Sequence, residues 1–256
     1  MSKRIQDFKI VNKASAGGNC LLTLLPLGTP DLHDITPGQF VQVQALAPEV
    51  LLRRPISVCD VTPDGHLILM VKPIGNATRH IDSLAVGDTL NLVLPLGNGF
   101  DTSDMQGRRA LLVGGGVGVA PLVFLARALT AAGASVDICI GGRSAADIAG
   151  IDSLFVPDAH LHFATDDGSA GHHGLVTSLD TFSADYHRIF CCGPTPMMKA
   201  VAASARNRGI DCFVSLENMM ACGLGACLCC IEKTVRGNIC VCTEGPVFNI
   251  NQLLWN

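Results

Sequence analysis

The sequence predicts a β + α/β chain in three parts: an antiparallel β-barrel, a doubly wound parallel-sheet domain and a small cysteine-rich segment. Three observations predict this. Short β-prone runs separated by turn residues fill the chain to about residue 100. Strand and helix patterns then alternate to about residue 218. Beyond that lie Cys222, Cys227, Cys230 and Cys242 in a segment too short to enclose a core of its own.

In the first part the β-prone runs are Phe8–Lys13, Cys20–Leu25, Phe40–Leu46, Ile56–Val61, Leu67–Lys72 and Thr89–Leu94. Turn chemistry at Thr36-Pro37-Gly38, Pro63-Asp64-Gly65 and Val86-Gly87-Asp88 separates several of them. Strands at this spacing suit a small antiparallel barrel. Asn76–Leu84 reads as a short helix covering one opening.

In the second part Ala110–Val113 is a buried strand. The turn Gly114-Gly115-Gly116-Val117-Gly118-Val119-Ala120-Pro121 and a helix to about Ala132 follow. Ser135–Ile140, His160–Ala164, Arg188–Cys191 and Cys212–Leu216 are further strands. Pro196–Arg208 is a helix with Met197, Val201 and Ala205 on one face and Gly209 as its stop. The pattern predicts a parallel sheet with helices on both faces.

The third part carries the most specific spacing. Cys222, Cys227 and Cys230 read C-x4-C-x2-C, and Cys242 follows after eleven residues. That is the spacing of a plant-type [2Fe–2S] site. Glycines at 223 and 225 allow a tight loop with positive φ. Structural zinc is the alternative, since it also uses C-x2-C pairs. Cys229 and Cys240 lie in the same segment and are read as non-ligands; Cys20, Cys59, Cys139 and Cys212 are read as small buried hydrophobes.

Composition sets the outer limits. The chain has 256 residues, 48% of them hydrophobic and 16% charged, which argues for folded domains throughout. A net charge of −4 gives no basic surface for nucleic acid. Ala110–Ala126 is uncharged, but its glycine run and Pro121 argue against a membrane span. The start, Met1-Ser2-Lys3-Arg4 followed by Ile5, Gln6 and Asp7, carries no apolar signal region and predicts a cytoplasmic chain with reduced thiols.

Two further segments suggest binding. The run from Gly114 to Gly118 either lets a helix pack closely on a strand or brings bare backbone and a helix N-terminus to a pyrophosphate. No acidic residue follows directly after Ile140. The chain reads Gly141-Gly142-Arg143-Ser144 there, so a preference for NAD or NADP is not written in the usual way. In the barrel, Arg53-Arg54-Pro55-Ile56-Ser57 sets an arginine and a hydroxyl three apart at a strand start, suited to phosphate or a ring carbonyl.

Taken in order, Arg54-Pro55-Ile56-Ser57, Pro95-Leu96-Gly97-Asn98-Gly99-Phe100, Gly114–Leu122 and Cys192-Gly193-Pro194-Thr195-Pro196-Met197 resemble the ferredoxin-reductase family. Glu217–Cys227 and Cys242-Thr243-Glu244-Gly245-Pro246-Val247-Phe248 resemble one branch of it, the electron-transfer subunits of NAD-linked, two-subunit dihydroorotate dehydrogenases. The resemblance implies an FAD-binding barrel (1–100), a Rossmann-like NAD-binding domain (101–218) and a [2Fe–2S]-binding segment (219–256). It implies FAD contacts from Arg54, Pro55, Ile56, Ser57, Met70, Val71, Lys72, Ala77, Thr78, Gly97 and Gly99. Ala77 stands where that family carries a glycine, which requires φ below zero there or strain. It implies nicotinamide-nucleotide contacts from Gly114, Gly115, Gly116, Gly118, Cys192, Gly193 and Pro194, and cluster ligation by Cys222, Cys227, Cys230 and Cys242. No residue of this chain is assigned a base for dihydroorotate. The implied partner is a catalytic FMN subunit, two copies of each forming a heterotetramer, with Leu224, Leu228, Leu253, Leu254 and Trp255 as apolar docking surface. Ferredoxin-linked NAD(P)H oxidoreductases and soluble hydrogenases are the rival relatives, and a zinc-bound interaction module is the rival of another class.

Overall fold

The computed structural model describes residues 3–28 and 31–255. Met1, Ser2 and Asn256, at the outer limits of the first and third parts, lie outside the described residues.

The first part comprises β1 (Arg4–Ala16), β2 (Asn19–Pro26), β3 (Phe40–Val43), β4 (Arg54–Val61), β5 (Leu67–Val71), α1 (Asn76–Ser83) and β6 (Thr89–Leu96). The strands close a barrel in the order β1-β2-β5-β4-β3-β6, antiparallel throughout. Alternation fills it: Phe8, Leu22, Leu24, Val41, Val43, Leu69 and Leu92 point inward and share one core. Helix α1 covers an opening with Ala77 and Ile81 buried. Strand β3 stops short of the expected Leu46, because the chain turns at Ala47–Val50 around Pro48. Strand β4 starts earlier than expected, at Arg54; Pro55 lacks an N–H and disguises a strand start in the sequence.

The second part comprises β7 (Arg109–Gly115), α2 (Ala120–Ala131), β8 (Ser135–Gly142), α3 (Ala145–Ile148), β9 (His160–Thr165), β10 (His172–His173), β11 (Arg188–Cys192), α4 (Thr195–Arg208) and β12 (Asp211–Ser215). The third adds a hairpin, β13 (Ile231–Thr234) with β14 (Gly237–Cys240), then α5 (Val241–Glu244) and β15 (Val247–Asn249). One sheet runs β10-β9-β8-β7-β11-β12-β15, parallel except for β15, which lies antiparallel to β12. Successive residues of β7 feed opposite faces. Ala110 and Leu112 pack with Leu122 and Leu129 of α2, while Leu111 and Val113 pack with Val201 and Ala205 of α4.

The barrel and the sheet share a core. Cys59 and Met70 pack among the α2 residues, and Arg127 of α2 pairs with Asp60 of β4 at 2.6 Å. The third part leans on the sheet, with Cys230, Val241, Cys242, Phe248 and Leu253 buried on its α4 face. Cys20, Cys59, Cys139 and Cys212 are buried as expected. Among the described residues no helix is long and apolar enough to cross a membrane.

Candidate functional site

Sheet order positions the first of two cavities. Consecutive strands run outward from β7 to β8 and β9 on one side, and β11 and β12 lie on the other, so a crevice opens at the C-terminal ends of β7 and β11. A 400 Å³ cavity lies there, lined by Gly115, Gly116, Gly141, Gly142, Pro194 and Met197 among others. The glycine run divides its duties. A Cβ at Gly118 would stand 2.5 Å from Cys192 O, and one at Gly114 would stand 2.8 Å from Val119 Cγ2. Those two glycines therefore permit close packing. Gly116 has φ +57 and open space where a Cβ would project, so its backbone faces the cavity. A 3₁₀ turn over Gly116–Val119 precedes α2, which begins at Ala120, slightly earlier than the sequence suggested. Cys192 is buried, and burial pushes its thiol well above the ordinary range.

At the far side of this cavity stand Arg143, Asp147 and Asp166. Asp147 accepts from the backbone N–H of Arg143 (3.0 Å) and Ser144 (3.2 Å), and the Arg143 guanidinium lies 3.5 Å away. Burial alone would raise the Asp147 carboxyl, but those donors hold it below the usual range. Asp147 is a site residue that sequence reasoning missed. Its signal was the capping-box spacing Ser144-x-x-Asp147.

A second cavity of about 310 Å³ runs between barrel and sheet. Pro55, Ile56, Ser57, Met70, Lys72 and Thr78 line it from the barrel, Val117 and Ala120 from the sheet domain, and Met219, Met220 and Pro246 from the third part. Lys72 lines both cavities. Glu217, also unassigned from sequence, sits on this wall; burial raises its carboxyl pKa and Lys72 opposes the rise.

Several expected contacts are corrected. Val71 points into the barrel core, because alternation sends Met70 and Lys72 to the cavity and Val71 the other way. Ala77 is 1% exposed inside the barrel and is not among the described non-glycine residues with positive φ, so its backbone carries no left-handed strain. Thr78 Oγ1 is engaged by the N–H of Gly75 (3.0 Å) and Ile74 (3.1 Å), closing the start of α1. Gly97 and Gly99 line neither cavity. A Cβ at Gly97 would stand 2.6 Å from Pro246 Cδ, and one at Gly99 would stand 2.5 Å from Pro37 O. Asn98 between them donates to Gly245 O, Thr243 O and Glu244 O, so this loop seats the third part. Arg54 donates to Leu52 O at 2.7 Å and has no carboxylate partner among the described residues. Arg53, expected to be solvated, is tied to the barrel through Asn91 O (2.9 Å) and Gln42 O (3.3 Å).

The cysteine loop is shaped by Gly223 (φ +70) and Gly225 (φ +83). The resulting turn aims N–H groups at sulfur: Leu224 at Cys222 Sγ (3.3 Å), Gly225 at Cys242 Sγ (3.1 Å) and Cys242 at Cys230 Sγ (3.4 Å). The Leu224 N–H, followed by contacts to Cys227, lowers the Cys222 thiol to about 6. Burial first, then the Cys230 thiol, pushes Cys242 up to about 12. Cys222 thus lies against Cys227, while Cys242 and Cys240 both lie against Cys230. Among the described residues no three His, Cys, Asp or Glu groups converge on one ion-sized point. Cys229 is exposed, and Cys240 lies beside Cys230 with Sγ 4.0 Å from Gly225 O. Of the expected docking side chains, Leu224, Leu228 and Leu254 are exposed, whereas Leu253 is buried and Trp255 packs on the sheet.

Residues 217–254 match the family model described as the iron-sulfur cluster binding domain of dihydroorotate dehydrogenase B. The chain is 39% identical over 230 residues to the dihydroorotate dehydrogenase B (NAD(+)) electron transfer subunit of Shouchella clausii, covering 87% of this chain and 88% of that one. It is 37% identical to the same subunit of Clostridium acetobutylicum, with the same shares covered. Its fold is similar to that of a solved NADH-dependent reduced ferredoxin-NADP oxidoreductase, with TM-score 0.83 and 31% identity over 97% of this chain and 90% of that one. Phthalate dioxygenase reductase shares the fold at TM-score 0.62 and 24% identity, over 79% of this chain and 64% of its own. From barrel to cysteine loop, the chain belongs to the family of dihydroorotate dehydrogenase B (NAD(+)) electron transfer subunits.

Proposed function

We propose that this chain carries electrons from a separate dihydroorotate-oxidising subunit to NAD⁺, using a [2Fe–2S] cluster and FAD. One observation carries the reading: the cavity between barrel and sheet is walled on one side by the cysteine segment and shares Lys72 with the glycine-lined cavity. A flavin supplies the exchange between two-electron hydride chemistry and one-electron transfer, so it belongs between a nicotinamide and an iron–sulfur cluster. Ser57, Met70 and Lys72 would flank its ring from the barrel. Arg54, without an acidic partner among the described residues, would turn its guanidinium to phosphate. Gly115 and Gly116 would receive the nucleotide pyrophosphate on bare backbone, with Asp147 at the far end of that cavity.

Cys222 and Cys227 would hold one iron, Cys230 and Cys242 the other, with Leu224, Gly225 and Cys242 N–H groups directed at their sulfurs. We place the limits of the three parts at 1–100, 101–218 and 219–256. The gap from β6 to β7 and the end of β12 support them. The partner would be an FMN-containing catalytic chain, assembled two plus two, docking over the exposed Leu224 and Leu228.

The test is to purify the native complex and assay dihydroorotate oxidation against NAD⁺ reduction. The isolated chain should oxidise NADH with artificial acceptors and leave dihydroorotate untouched. Dihydroorotate oxidation by the isolated chain would overturn this division. A ferredoxin-linked oxidoreductase is the second reading, favoured by the likeness to the solved NADH-dependent ferredoxin-NADP oxidoreductase. Co-purification with ferredoxin in place of a catalytic subunit would favour it. A colourless, zinc-loaded protein would favour a non-enzymatic module.

A further inference from the structure

Gln42 sits on β3 and is fully buried, yet neither its Nε2 nor its Oε1 has a hydrogen-bond partner among the described residues. Buried side-chain amides are paired as a rule, and one with both atoms unpaired points to a missing partner. Its surroundings identify where that partner lies. A Cβ at Gly223 would stand 2.9 Å from both Cγ and Nε2 of Gln42, so the amide is pressed against the loop directly after Cys222. Strand alternation puts Gln42 on the same outer face as Phe40, which lines the cavity between barrel and sheet. Gln42 therefore lies between that cavity and the cysteine loop. Arg53 braces the strand there through the Gln42 carbonyl.

Resting on the cluster reading above, we propose that the Gln42 side-chain amide donates an N–H to a sulfur of the cluster and sets its reduction potential. Reduction adds negative charge to the sulfurs, so a donor aimed at them favours the reduced form. Thiolates and sulfides accept and cannot donate, which matches the Nε2 side of the amide. Gly223 is the necessary counterpart, since any side chain there would displace the amide.

The test is a redox titration of the cluster's EPR signal in the holo complex. Gln42→Leu keeps the packing volume and removes the donor. At a fixed poise it should lower the reduced-to-oxidised ratio about tenfold, equal to ~59 mV for one electron. Gln42→Glu, which replaces the donor by an acceptor, should shift it further the same way. An unchanged potential in both variants, with full iron content, overturns the proposal. If the variants lose the cluster, the wild-type protein with side-chain ¹⁵N-labelled glutamine decides. A ¹⁵N hyperfine coupling to the reduced cluster supports the contact, and its absence overturns it. Lack of any iron–sulfur signal in the wild type would instead sink the cluster reading, and this inference with it.

Discussion

The glycine-lined cavity and the cysteine loop lie on one chain but take their shapes from different forces. The first stands on a doubly wound sheet with an apolar core on each face, and its backbone is fixed by burial at Gly114, Gly118 and Cys192. The second is a run of turns whose buried side chains, Cys230, Val241, Cys242 and Phe248, borrow the core of the neighbouring sheet. Its own hairpin, β13 with β14, is largely exposed. The difference teaches that a ligand's absence should be felt unequally. The sheet should keep its cavity when empty, while the loop should depend on metal as well as on docking.

The largest expected effect follows from that asymmetry. Chelating the iron should strip hydrogen-exchange protection from residues 219–245 and leave the barrel and sheet strands protected. Single Ser replacements at Cys222, Cys227, Cys230 and Cys242 should each remove or alter the cluster's EPR signal, with Cys229→Ser and Cys240→Ser retaining iron. Iron lost in Cys240→Ser and kept in Cys242→Ser would reverse the ligand assignment.

Phe248→Ala tests the docking half of the comparison. Phe248 is 2% exposed, and truncation of such a side chain costs about 3–5 kcal/mol. Melting temperature should fall, and the cluster should become labile before the nucleotide site does. Arg54→Ala tests whether the barrel side is equally pre-formed. FAD occupancy should fall, since hydrogen bonds to charged groups contribute about 1.5–3 kcal/mol. The fold should be unaffected, because among the described residues Arg54 bonds only to nearby carbonyls. Release of FAD by Arg53→Ala and not by Arg54→Ala would show the phosphate contact to be displaced by one residue.

Along the glycine run, Gly118→Ala should destabilise the fold by about 1–3 kcal/mol, because its Cβ meets the Cys192 carbonyl. Gly116→Ala has open space and pays only for its positive φ, about 1–2 kcal/mol. Denaturant unfolding should rank them in that order, while NAD titration should show Gly116→Ala to be the more damaging to binding.

The smallest effect concerns acid. Burial alone would raise the Asp137 carboxyl, but Arg109 (2.8 Å), His162 (3.3 Å) and the Tyr186 hydroxyl (3.2 Å) hold it below the usual range. Its folded pKa is thus below the unfolded value of about 3.9. The stabilisation is present above that value and is lost as pH falls through the folded one. Asp137→Asn should therefore be less stable than wild type at pH 7, and the two melting temperatures should converge below about pH 4.

Much of this was legible in the residues. The barrel strands and the alternating sheet domain carry clear periods, and the glycine and cysteine spacings announce their loops. Strand β15 was not legible, because three residues behind Gly245-Pro246 form a strand only by pairing with β12. Strands β13 and β14 were hidden by Lys233, Gly237 and Asn238, which have little β propensity. The packing roles of Gly97 and Gly99 were not legible for a similar reason. A glycine spacing says that something approaches closely, and here it is Pro246 and Pro37. Gln42 gave no signal at all, since a lone glutamine on a strand has meaning only once Gly223 is brought against it.

The cysteine segment leaves the sheet at Leu216 and returns at Pro246, and the Leu216 N–H donates to the Pro246 carbonyl at 2.9 Å. An excursion whose ends coincide can be lengthened or cut out with little change in the register of the strands it joins. Such a cut would keep β12 paired with β15, but it would also take away Met219 and Met220, part of the wall of the cavity between barrel and sheet. With a flavin seated there as proposed, wire and insulation would be one piece of chain, and removing the conductor would leave the flavin open to water on that side.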